Sequence, residues 1–151
     1  MTMNYSRWSR VFSRKHAAIL ATLEGLSVEE VVDYFTYDNM RLNHPEFCPL
    51  YAQGRRCHEL RELNCYLCAC PHFRYCDTGI ERIGRRIRYS YCAVDAPGAA
   101  EFWTETAIHQ DCSGCLLPHH RGFILGHFDR DWKRIMSRCQ ECRHGRNGAT
   151  D

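Results

Sequence analysis

Between residues 14 and 36 the apolar positions fall into helical register. Ala18, Ile19, Leu23 and Leu26 lie near one face of a helix over 14–24, and Gly25 is placed to end it. "LSVEEVVDYF" starts a second helix. Ser27 and Glu30 have capping-box spacing, Leu26 and Val31 are placed as a hydrophobic staple, and Val31, Val32, Tyr34 and Phe35 supply a buried side. These two segments predict a helical hairpin over 14–36 that covers one side of a core. The step His44-Pro45 breaks the helical region.

The pattern then changes. "CHELRELNC" (57–65) has Leu60 and Leu63 spaced for a short helix. "RRIRYSYCAV" alternates and predicts a strand at about 86–94, and "DAPG" (95–98) predicts a turn. "AEFWTETAIH" (100–109) suits a strand pairing back on 86–94. Further helices are expected near 119–127 and 130–138, with Trp132 and Ile135 inward, and the tail from Gly145 is polar.

Composition sharpens this picture. Hydrophobic residues make up an ordinary 44% of the chain, but they concentrate at its two ends. The middle, from Cys48 to Cys115, is rich in Cys, Arg, His and Tyr and cannot build a large aliphatic core. It needs another staple. The net charge of +2 is too small to imply a nucleic-acid partner. The one dense basic run, "RIGRRIR" (82–88), reads as a solvated strand face. No window has the apolar length of a membrane span, and "HAAILATL" lacks the cleavage signature of a secretory leader. The expectation is a cytoplasmic protein. There thiols stay reduced, so 11 cysteines, an odd number, point to ligands rather than a complete disulfide scheme.

"NCYLCACPHFRYC" (64–76) holds Cys65, Cys68, Cys70 and Cys76. Cys65/Cys68 and Cys112/Cys115 each have C-x2-C spacing, which turns the chain so that both sulfurs reach one ion while amides donate to them. Gly114 in "CSGC" suits a positive φ in such a knuckle. Cys139/Cys142 share the spacing but lie in a polar terminal segment. Cys70-Pro71 echoes the Cys-Pro step of iron–sulfur runs. His58 follows Cys57, and His119 stands at C-x3-H from Cys115; beside thiols, imidazole is a zinc ligand. His109 is undecided, and His16, His44, His72, His127 and His144 read as ordinary surface or core residues.

"CHELRELNCYLCACPHFRYC" followed by "IHQDCSGCLLPHH" resembles the cysteine-rich small domain family of bacteria and archaea, a metal-binding module. The similarity spans about residues 48–120. It rests on Cys57-His58, Asn64, Cys65, Cys68, Cys70-Pro71, Cys76, Asp111, Cys112, Cys115 and Pro118-His119, with Cys48-Pro49 as the upstream cysteine. The resemblance implies a zinc or iron–sulfur centre and an accessory role, in some members beside enzymes of corrinoid metabolism. It does not reach Cys92, Cys139 or Cys142.

The chain has no G-x-S-x-G, P-loop, G-x-G-x-x-G or H-E-x-x-H sequence, so the balance leans away from an enzyme. The function expected is a metal-binding accessory or interaction protein with one or two Cys/His centres and a protein partner of unspecified kind. An iron–sulfur electron-transfer or cofactor-maturation protein is the alternative, and a metal-dependent enzyme is the third. Candidate ligands are Cys48, Cys57, His58, Cys65, Cys68, Cys70, Cys76, Cys112, Cys115 and His119. The expected fold is α+β, small and loop-rich: a helical hairpin (1–44), a metal-organised cysteine-rich domain with a short β-hairpin (45–120), a helical segment (121–144) and a tail (145–151).

Overall fold

The helical hairpin is present and begins earlier than its apolar periodicity implies. The computed structural model describes residues 4–140. Within them the chain is mixed helix and sheet, with five α-helices and two small sheets. Two compact units share the chain in an interleaved way. A helical unit holds residues 12–70 and 116–135; a sheet unit holds 4–11, 71–115 and 136–140. The expected 45–120 domain therefore contributes to both.

Helix α1 runs Tyr5–Ala21, and its residues are divided between the two units. The turn after it ends at Gly25, whose φ of +87° is the left-handed conformation that glycine adopts without strain. Helix α2 is Val28–Tyr34. Its capping box is complete: the Glu30 amide donates to Ser27 Oγ (3.2 Å), and the Ser27 amide donates to Glu30 Oε2 (2.8 Å). Val31, Val32 and Phe35 are buried, whereas the staple residue Leu26 stays 38% exposed. Helix α3, Tyr37–Asn43, fills the stretch before His44-Pro45 that periodicity left unassigned. Helices α4 (Arg121–Gly126) and α5 (Trp132–Ile135) are shorter than expected. Residues 57–65 form bends and turns rather than a helix. Leu63 is buried there, but the backbone bonds outward, as described below.

His16 sits at the centre of the helical unit. It is fully buried, stacked on Phe35 (5.1 Å between centroids) and edge-on to Tyr66 (4.6 Å). Its Nε2–H donates to the Tyr66 carbonyl (2.9 Å). Phe12 packs on Trp132 at 4.7 Å, and Trp132 Nε1–H donates to the Leu67 carbonyl (2.7 Å). These rings pack among buried aliphatic side chains such as Val31, Val32, Leu67 and Ile124, and the His16 Nε2–H and Trp132 Nε1–H are each tied to a carbonyl.

In the sheet unit, β1 (Phe73–Tyr75) pairs antiparallel with β4 (Ser90–Cys92). The other sheet has four strands: β2 (Glu81–Ile83), β3 (Arg86–Arg88), β6 (Ala107–Asp111) and β5 (Ala100–Trp103), in that order. The single strand expected over 86–94 is two strands in different sheets. Residues 100–109 hold β5 and the start of β6, which form their own hairpin; the expected pairing on 86–94 is made by Ala107 and Ile108 of β6 with Ile87 and Arg88 of β3, but in parallel and not as a hairpin. Tyr5 packs on Tyr75 and Phe73, with centroids 4.0 and 5.0 Å away, and the amides of Tyr5 and Ser6 donate to the Asp77 carboxylate.

The basic run is not uniformly solvated. Arg88 is buried, with Nε 2.6 Å from Glu81 and Nη1 2.6 Å from Glu101. Arg86 lies over the Trp103 ring at 4.9 Å. Glu81 is directly opposite Arg88 in the β2–β3 register, so the pleat delivers the pair. Removing the guanidinium leaves two carboxylates facing each other. Glu101 is partly exposed, which moderates the cost. Arg88→Met is expected to lower stability by about 2 kcal/mol in denaturant unfolding, more than Arg82→Met on the exposed edge.

Candidate metal centre

Cys48, Cys57, Cys65 and Cys68 come from three stretches of the helical unit, and every pair among them is close enough to interact electrostatically. All four are thiols. The backbone explains the convergence. The Cys65 amide donates to the Phe35 carbonyl (2.8 Å) and the Tyr37 amide to the Leu63 carbonyl (2.9 Å), with Asn64 bridged to Thr36. A short antiparallel contact thus seats residues 63–65 on the α2–α3 junction. The knuckle then turns through 66–68. Asn64 Oδ1 accepts from the Tyr66 amide (2.8 Å), and Cys68 takes a φ of +46°. That left-handed conformation is uncommon for a side-chain-bearing residue.

Cys48 is followed by a 3-10 helix, Tyr51–Gln53, whose first amide donates to the Cys48 carbonyl (3.1 Å). Tyr51 is 2% exposed and packs edge-on to Tyr37. Its hydroxyl is buried and makes no well-formed hydrogen bond; the group it faces is the Cys65 sulfur. Sequence reasoning passed over Tyr51 because one tyrosine among eight carries no spacing signal.

Burial pushes the Cys65 thiol up to about 12, against the pull of the Tyr51 hydroxyl and with the neighbouring Cys57 and Cys48 adding to the rise. Burial likewise raises Cys68 and Cys57. With no cation to hold them these sulfurs keep their protons. A divalent cation would reverse that preference and release protons on binding.

On one edge of this group, Cys57, His58 and His119 bring one ligand atom each to within 4.8 Å of one another. His58 Nδ1 is 3.1 Å from Cys57 Sγ, and the two imidazole centroids are 4.5 Å apart. His119 ends a short 3-10 helix, Leu117–His119, and is 5% exposed. Its Nδ1–H donates to the Asn64 carbonyl (3.0 Å), which leaves Nε2 as the lone-pair nitrogen. Burial, then the neighbouring His58 and His120, lowers its pKa and favours the neutral ring that a metal needs.

Asn64 joins the two arrangements. Its Nδ2–H donates to the Val32 carbonyl (2.7 Å) and its amide to the His119 carbonyl (3.3 Å). Asn64→Ala leaves the Tyr66 amide without its partner in the interior and removes one of the two donors to the Val32 carbonyl, which keeps the Phe35 amide. A loss of about 2 kcal/mol in unfolding free energy is expected, where Asn64→Asp loses part of that.

Cys70 is half-buried at the end of the knuckle loop. Cys112 and Cys115 belong to the sheet unit, so the two C-x2-C pairs fall in different units, and so do Cys115 and His119. The Cys115 amide does turn back on the Cys112 carbonyl (3.0 Å), and Asp111 Oδ1 accepts from the Ser113 amide and hydroxyl. Gly114 is not among the left-handed residues; a Cβ there would stand 2.9 Å from the Gly98 carbonyl, so close approach, not positive φ, calls for glycine. Cys76 is disulfide-bonded, which sets its sulfur apart from the thiols. Cys139, left out of the candidate ligands, is 2% exposed, and its carbonyl accepts from the Tyr75 amide beside β1 (2.8 Å). Cys142 lies outside the described residues. His109 stacks on Tyr89, and His44 bonds the Tyr34 hydroxyl.

A groove bordered by Asp33, Asp38, Arg56 and Arg121 lies in the helical unit. Four of its charges pair internally, Arg121 with Asp33 (2.7 Å) and Arg56 with Asp38 (3.6 Å). Among the described residues no helix is long and apolar enough to cross a membrane. No family model matches the chain, and no curated protein or solved structure is significantly similar to it. The class defined is a mixed helix-and-sheet protein with a cluster of cysteines and histidines in its helical unit.

Proposed function

We propose that this protein is a metal-binding accessory protein whose main centre is a zinc ion held by Cys48, Cys57, Cys65 and Cys68. The observation that carries this reading is the convergence of four thiols from three stretches of chain, each within electrostatic range of the others, beside the Cys57–His58–His119 group, whose ligand atoms are the ones that lie within 4.8 Å of one another among the described residues. Cys65 is buried and Cys48 and Cys68 are half-buried beside a buried tyrosine hydroxyl, an arrangement with no packing advantage over apolar side chains, and a dication gives them and the exposed Cys57 a reason to converge. Four thiolates also suit iron–sulfur chemistry. The adjoining imidazoles favour zinc, which takes mixed nitrogen and sulfur ligands. On this reading the centre organises the loops of 48–68, and the similarity to the cysteine-rich small domain family points the same way.

Anaerobic purification followed by metal analysis and a visible spectrum on one sample tests it. Colourless protein with stoichiometric zinc is expected. Brown protein with iron and acid-labile sulfide replaces zinc by a cluster, and protein devoid of metal overturns the reading.

A further inference from the structure

Cys57 belongs to two groups at once. Its thiol interacts electrostatically with those of Cys48, Cys65 and Cys68, and it is the sulfur of the Cys57–His58–His119 triad. We infer that the triad is a second cation position, taking a borderline dication such as zinc through Cys57, His58 and His119, with the Cys57 thiolate bridging to the four-sulfur centre. This rests on the metal-binding reading above and adds a site to it.

The geometry meets the demands of such a position. Three ligand atoms already lie within 4.8 Å of one another, the span a single ion can bridge. His119 is held by two links to Asn64: its Nδ1–H on the Asn64 carbonyl and its own carbonyl accepting the Asn64 amide. The first fixes the tautomer that presents Nε2 to a metal, as the outer partner of a metal-bound imidazole does. His58 faces both the Cys57 sulfur and the His119 ring. Among the described residues no carboxylate belongs to this group, which suits a borderline metal better than calcium or magnesium.

Exposure gives the position its character. Cys57 is exposed and His58 half-buried, while His119 is buried. Three protein ligands on a solvent-facing edge leave a fourth place for water or an exchangeable ligand, as in an open zinc site. Charge supports the pairing. Four thiolates on one dication leave two negative charges, and a second dication cancels them.

The test is a zinc count on the full chain, reconstituted anaerobically and stripped of loose metal by gel filtration, for wild type, His58→Ala, Cys48→Ser and the double variant. His58→Ala, at a half-buried loop position, is expected to lose one equivalent relative to wild type while keeping the wild-type circular-dichroism spectrum. Cys48→Ser loses a different equivalent, so the double variant loses both. If Cys48→Ser fails to fold, cobalt substitution replaces it: the ion missing from His58→Ala must account for the smaller part of the thiolate charge-transfer band. His58→Ala with the full wild-type complement overturns the second position and leaves the four-thiol centre standing. His58→Ala and Cys48→Ser losing one and the same equivalent also overturns it, because a single mixed site then suffices. Wild type without metal fails the metal-binding reading itself.

Discussion

Cys68→Ser is expected to remove the metal and abolish cooperative unfolding of the helical unit. The magnitude follows from coupling. Binding of a structural zinc contributes about 10–16 kcal/mol, while an entire domain is stable by about 5–15 kcal/mol. A serine hydroxyl is a far poorer zinc ligand than a thiolate at neutral pH. Cys68 also ends the turn whose Leu67 carbonyl receives the Trp132 indole N–H, so a released knuckle frees a ring of the aromatic core. Circular dichroism and tryptophan fluorescence through a thermal ramp, with metal content on the same preparations, measure the effect. Chelator added to wild type should reproduce the variant. Cys92→Ser is the contrast. Its sulfur lies in the sheet unit, where it accepts a long hydrogen bond from the Ala96 amide (3.5 Å), and a change within about 1 kcal/mol is expected. A Cys68→Ser protein with wild-type metal content and midpoint would sink the proposed centre.

Acid should destabilise the protein through His16. Burial lowers this imidazole from 6.5 to about 4, opposed by its bond to the Tyr66 carbonyl and by Asp131. The folded state therefore holds the neutral ring where the unfolded chain takes up a proton. The stability contribution is fully present above pH 6.5 and is lost as pH falls from there towards pH 4. The loss over that window is about 3 kcal/mol. Protonated thiolates and carboxylates add their own acid sensitivity, so the informative quantity is a difference. His16→Gln keeps an N–H donor for the Tyr66 carbonyl and cannot titrate. The gap in unfolding free energy between wild type and His16→Gln should shift by about 3 kcal/mol between pH 7 and pH 4, in favour of the variant at the acid end. A gap that stays constant would mean that His16 is not held neutral by burial.

His16 also illustrates what a single sequence leaves open. Within "RKHAAIL" it has no signal separating a core imidazole from a surface one; the ordinary reading covers both, and the structure makes it a core residue. Its burial is decided by Phe35 and Tyr66, which lie 19 and 50 residues away and close over it.

The helix starts and ends, by contrast, were legible because their causes are local. Ser27 and Glu30 bond each other's backbone across three residues, and Gly25 takes the left-handed conformation that a helix end favours. The crowding of thiols, and the short reach of a C-x2-C turn, were legible for the same reason. Strand partners were not. Residues 86–92 alternate as strands do, but the change of sheet at Tyr89 comes from its amide bonding the Ile108 carbonyl and its carbonyl accepting the Cys76 amide, both long-range bonds. Ligand grouping was not legible either: spacing alone carries no sign that Cys57 and His58 stand with His119, which follows 61 residues later in the chain. The sequence by itself determined which residues have metal-ligand chemistry and where the helices are capped, because those properties act within a few bonds. Only the tertiary structure decided which thiols meet and that His58 stands beside His119, because both depend on the seating of residues 63–65 against the α2–α3 junction.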